Sequence, residues 1–210
     1  MSLPPRCPRC AGPLRAPDLW SSDWRCSLHG AVSPWHPATT TSVEALTHLA
    51  TDAAVPVWVV EPSMPSWTLG GASWCGDGRR GHAASAVSFC GPAPLGGLAE
   101  MVVVAEEPGV GLGARLAGLE GTDPGIPEGE AAEKVVAAGH PTPLWRCDSP
   151  PDRAAFVGEA GGVWLWCVLW PAEAAYVLVE HVELADVRDG VPHDLMPGAL
   201  CPRLQAPSAV

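Results

Sequence analysis

Charged side chains are scarce in this sequence, at 17% of 210 residues. They are also lopsided, with 23 Asp and Glu against 12 Lys and Arg and a net charge of −11. A surface of that sign repels a phosphate backbone, so nucleic-acid binding by the body of the protein is not expected. A long apolar run is missing too. The longest, Val163 to Val179, is broken by Pro171 and Glu173 and falls short of the ~20 residues that cross a bilayer. It reads as core, and no membrane association is expected. The first residues, MSLPPRCPRC, lack the apolar stretch of a secretory signal. The expected compartment is the cytoplasm, where thiols and metal sites outnumber disulfides. Phe and Tyr are nearly absent, at two and one, but Trp numbers ten, which disordered chains do not carry. With 47% hydrophobic residues, the chain can build one core and a small module. Its 23 Gly and 24 Pro argue for strands, turns and loops over long helices.

The most specific signal stands near the start. Cys7-Pro-Arg-Cys10 is followed after fifteen residues by Cys26-Ser-Leu-His29. A two-residue gap lets both ligands of a pair come from one tight turn. The long separation lets a hairpin bring the pairs together, giving the four ligands that Zn²⁺ takes. Gly12 and Gly30 follow the pairs and suit turns that fold toward a metal. All four positions are filled, so one structural zinc is expected, held by Cys7, Cys10, Cys26 and His29.

Four segments follow from the pattern: a zinc module at 1–36, a linker and short helix at 37–55, an antiparallel α+β domain at 56–190, and a Pro-rich tail at 191–210. Ser42 is placed to cap the helix, which carries Val43, Leu46, Leu49 and Ala50 on one face. Strands are expected at Val57–Val60, Trp67–Trp74, Ala83–Cys90, Met101–Ala105, Lys134–Ala138, Pro143–Cys147, Ala154–Gly158 and Val163–Trp170. Turns fall at Gly76–Gly78, Asp152 and Gly161-Gly162. Ala172–Arg188 reads as a helix, with Pro171 at its first turn and Tyr176, Val179, Val182 and Val187 near one face. The expected fold is α+β: an N-terminal zinc ribbon, then a mostly antiparallel sheet packed by a C-terminal helix.

CPRCAGPL and WRCSLHG resemble the knuckles of a zinc ribbon, with His29 where many ribbons carry a fourth Cys. Three thiolates and one neutral imidazole leave such a centre near −1. Over the whole chain, LWSSDWRC, VPVWV, CGPAPLGGLAE, VVVAEEPGVGLGARLAG, AAGHPTPLW and VWLWCVLWPAE resemble an uncharacterised family of high-GC Gram-positive bacteria, the actinobacteria. Some of its members carry an automatic phosphotransacetylase label. The second domain is similar in pattern to the curved sheet-plus-helix domains of sigma-factor-regulatory and lipoprotein-carrier type.

Several other features invite chemistry. Glu106 to Ala114 nearly meets the dinucleotide fingerprint, with Gly109, Gly111 and Ala114. Two carboxylates at the would-be phosphate site argue instead for a structural loop. His140 could act with Cys147 or Cys167 as nucleophile, but sequence shows no adjacency. Cys75, Cys90, Cys147, Cys167 and Cys201 have no paired spacing and read mostly as core thiols. Trp164, Trp166 and Trp170 share one face of a strand, as core or as an aromatic platform. Glu106, Glu107, Asp123, Glu128, Glu130 and Glu133 form an acidic segment, expected as a solvated face. The leading expectation is a non-enzymatic module that binds a protein partner or regulates one. The alternatives are an acyl- or phosphate-handling enzyme using the Gly-rich loop 108–113 with His140, and nucleic-acid binding through the ribbon, where Arg6, Arg9, Arg15 and Arg25 gather.

Overall fold

Apolar residues on both faces of successive strands require cover on both faces of the sheet, and the structure supplies it. The structure is a computed structural model that describes residues 3–79, 81–125 and 129–206. In chain order the strands are β1 (Arg25–Cys26), β2 (Gly30–Ala31), β3 (Trp35–His36), β4 (Trp58–Val60), β5 (Thr68–Cys75), β6 (Ala84–Pro92), β7 (Leu98–Glu106), β8 (Glu133–Ala137), β9 (His140–Arg146), β10 (Ala154–Ala160), β11 (Val163–Trp170) and β12 (Glu183–Asp186). Two α-helices accompany them, α1 (Val43–Thr51) and α2 (Leu112–Ala117). The chain is thus α+β and mostly sheet.

β1 and β2 pair alone, and the other strands form one ten-stranded sheet in the order β3-β5-β6-β7-β11-β10-β9-β8-β12-β4. Neighbours are antiparallel except β12 and β8, which run parallel. Although β4 ends the order, it also lies against β6 and β7, so the sheet curls round its inner face. That face buries Val57, Val59, Leu69, Phe89, Met101, Phe156, Leu165 and Leu169 beneath α1 and the segment Ala172–Val179. Ser42 caps α1 as expected, its hydroxyl accepting from the Ala45 N–H at 3.2 Å. Among the described residues, no helix is long and apolar enough to cross a membrane.

The outer face has a second core: Trp35, Ala84, Ala86, Val102, Val104, Val157, Trp166, Val168 and Trp170, with α2 and Leu204 packed on it. β11 is central, between β7 and β10. Its two parities divide as the alternation requires, Leu165, Cys167 and Leu169 inward and Trp166, Val168 and Trp170 outward. The Trp face is therefore core, with Trp166 fully buried.

The expected helix over Ala172–Arg188 does not form. Only the first half is helical, and as a 3₁₀ helix, Ala172–Val179; Glu180 is extended, and Glu183–Asp186 is a strand. Val177, Val179 and Val182 are β-branched and stiff at χ1, which lowers their helix propensity. The decisive gain is long-range: β12 fills the gap between β8 and β4, and a helix there would leave β4 without a strand partner and one side of β8 unpaired. Asp186 secures the junction by accepting from the Val57 N–H and pairing with Arg188 at 2.7 Å. Beyond residue 190, Leu195, Cys201 and Leu204 are buried and Leu69 bridges to Pro197, so this segment packs on the sheet.

Candidate metal centre

Each Cys pair sits on a tight turn. In the first, the Ala11 N–H donates to the Cys7 carbonyl and the Cys7 N–H to the Gly12 carbonyl. In the second, β1 and β2 oppose Cys26 and Gly30. Gly30 takes the left-handed conformation expected of it, at φ 69°. In the first turn that role falls to Ala11, at φ 56°, instead of Gly12. The Arg15–Arg25 bridge ties the turns together.

Cys7, Cys10, Cys26 and His29 converge, their ligand atoms all within 4.8 Å of one another. Cys10 and Cys26 Sγ are 3.7 Å apart, and His29 Nδ1 lies 3.5 Å from Cys7 Sγ and 3.6 Å from Cys26 Sγ. The four are able to hold a metal ion. Burial opposes ionisation of Cys26, yet the N–H groups of Leu28 and His29, with the His29 and Cys7 side chains, bring its thiol down to about 6. Burial pushes Cys7 up to about 12.

The centre is fastened to the sheet. Arg9 donates to the carbonyls of Gly109 at 2.6 Å and Val110 at 3.3 Å. Arg115, on α2, donates to the Pro8 carbonyl at 2.6 Å and lies over the Trp35 ring at 4.3 Å. Trp35 is fully buried and its indole N–H donates to Ser73 at 3.0 Å. Burial lowers the Arg115 pKa, and Cys75, Cys7, Cys10 and Glu106 act the other way. These anchors escaped sequence reading because they join residues about a hundred positions apart.

The Gly-rich loop turns out to be the platform for the first turn. Most of its N–H groups are already engaged: Gly109 donates to Asp123 at 2.8 Å, Val110 to the Glu107 carbonyl, and Leu112 and Gly113 to Glu106. Gly111 is left-handed at φ 85°, and a Cβ there would stand 3.0 Å from Arg9 Cγ. A Cβ on Gly113 would collide with the Trp166 indole, so glycine lets α2 lie flat on β11. The expected acidic face is thus divided. Glu106 is fully buried as a cap, Asp123 holds the loop and Trp164, and Glu128 lies outside the described residues.

His140 is exposed at the start of β9. The cavity that the Gly-rich loop lines, about 700 Å³ in volume, contains Arg9, Trp24, Arg79 and Glu107 but neither His140 nor any cysteine. Burial raises Cys147 to about 11 and Cys167 to about 12, which suits inert thiols. Sequence reasoning missed one further cluster, Cys90, Glu100 and Cys201, because strand pairing and chain return assemble it.

Residues 1–204 match a family of unknown function (DUF6758). No curated protein and no solved structure matches the chain.

Proposed function

We propose, for a chain that belongs to the DUF6758 family of unknown function, a role read from its own site: a zinc-ribbon module that presents an apolar surface to a protein partner. The observation that carries this reading is where the exposed apolar side chains lie. Leu19, Trp20 and Leu28 are 98%, 94% and 78% exposed, all within the hairpin region that bears the four ligands. Buried surface elsewhere shows that the fold can cover large aromatics when they serve the core, so an uncovered Trp beside Leu marks a contact surface. Arg15 and Arg25 border it and favour a partner with acidic residues around an apolar patch.

Zinc is the metal that the donor set favours. Bonds of about 2.3 Å to sulfur and 2.05 Å to nitrogen give a tetrahedron with S–S edges of about 3.75 Å and S–N edges of about 3.55 Å. The distances between the ligand atoms, 3.7, 3.5 and 3.6 Å, fit those edges. Bound there, zinc cross-links the two turns and supplies no reactive position. The ion with three thiolates and an imidazole is near −1, and the half-buried Arg115, which donates to the Pro8 carbonyl, supplies a compensating charge. A reducing compartment such as the cytoplasm keeps the ligands available.

Two measurements test the reading. Elemental analysis should find one equivalent of zinc fewer in Cys10→Ser than in the wild-type protein; equal zinc in the two overturns the four-ligand centre. Trp20→Ser should retain zinc and lose the partners that the wild-type protein captures. Undiminished capture moves the contact surface elsewhere.

A further inference from the structure

We propose that Cys90, Glu100 and Cys201 form a second cation site, selective for a thiophilic divalent ion such as Zn²⁺. It is separate from the N-terminal centre and independent of the role assigned to that centre. The three ligand atoms lie within 4.8 Å of one another. Strand pairing sets two of them side by side, since Cys90 of β6 and Glu100 of β7 are direct cross-strand partners. The third arrives from the chain's return over the outer face: the Cys201 N–H donates to the Gly70 carbonyl at 2.8 Å. Gly70 leaves the room for this, because a Cβ there would stand 3.0 Å from Cys201 Cβ and 3.2 Å from Cys90 Sγ.

The carboxylate is divided between two tasks. Oε2 accepts from Arg203 at 2.7 Å, while Oε1 faces the Cys201 thiol at 3.6 Å. A tetrahedral ion bonded to sulfur at about 2.3 Å and to oxygen at about 2.05 Å needs an S–O edge of about 3.55 Å. Arg203 is itself held, lying over the Trp170 ring at 4.7 Å. It orients Glu100 from behind, the part that outer-sphere groups play at metal sites. Charge also balances: two thiolates and a carboxylate around a divalent ion leave about −1, which Arg203 offsets. Two sulfurs select thiophilic ions over Mg²⁺ or Ca²⁺. With three protein ligands, the fourth position is open to water or a small ligand. Binding releases the two thiol protons to solvent and needs no oxidant.

The test uses the full-length, reduced protein and Co²⁺ as the spectroscopic probe. Cys90→Ser should bind one equivalent fewer than wild type and lose part of the thiolate-to-cobalt charge-transfer absorbance. Glu100→Gln should weaken that equivalent about tenfold or more. Equal stoichiometry in wild type and Cys90→Ser overturns the proposal. Should the variants fold poorly, the wild-type chain answers alone. Saturating Zn²⁺ should protect the half-buried Cys90 from alkylation by iodoacetamide, read by peptide mass. Unchanged labelling overturns the site, as does a Cys90–Cys201 disulfide that persists in its place under reducing, zinc-replete conditions.

Discussion

Glu106 is fully buried and faces two backbone N–H groups, with no cationic side chain in hydrogen-bond reach among the described residues. Burial raises its carboxyl to about 7, against the pull of Gly113 and Leu112. An unfolded Glu titrates near 4.3. Between those values the folded chain holds a proton that the unfolded chain has released. This group's contribution is therefore complete below about 4.3 and falls as pH rises toward 7, by at most about 1.4 kcal/mol per pH unit. Glu106→Gln mimics the protonated acid. It should match wild type near pH 4.5 and become relatively more stable as pH approaches 8. Chemical denaturation at a series of pH values checks this, and parallel profiles for the two proteins rule it out. His36 and His82, both lowered by burial, are common to the two proteins and cancel in the comparison.

At the scale of elements, β11 and α2 form one unit. Trp166→Ala should cost about 3–5 kcal/mol, because the ring is fully buried. Gly113→Ala should cost about 1–3 kcal/mol by overpacking, although alanine ordinarily favours a helix. Thermal and denaturant unfolding read both; a neutral Gly113→Ala means that α2 can lift off the strand. These contrasting elements also show what the sequence made legible. β11 was readable to the residue because both its parities are apolar and Gly161-Gly162 and Pro171 bound it. The convergence of Cys7, Cys10, Cys26 and His29 was readable because their spacing encodes two turns. α2, at six residues, is too short for periodicity to reveal. The segment after Pro171 misled because Tyr176, Val179 and Val182 recur every three residues, a spacing near the helical repeat. Its actual state depends on β8 and β4, far away in sequence, and local pattern carries no trace of them. The anchoring by Arg9 and Arg115 was hidden for the same reason.

At the scale of the whole molecule, the charge of −11 outweighs the arginines of the N-terminal segment. No duplex-DNA complex of micromolar affinity should form near 150 mM salt, where phosphate contacts are screened. Fluorescence anisotropy on the full-length chain decides it, and a tight complex would bring the ribbon's nucleic-acid reading back. The edges of the large sheet bear on how any partner can be recognised. The outermost strands, β3 and β4, have only two and three residues. Pro34 and Pro37 flank the first, and Pro56 and Pro62 flank the second. Short edges hemmed by proline offer few free backbone groups to a passing chain. At these two edges a visiting peptide finds little ladder to extend, so strand addition there is disfavoured. Recognition at those edges falls to side chains, and edge-to-edge stacking of copies has little to start from there.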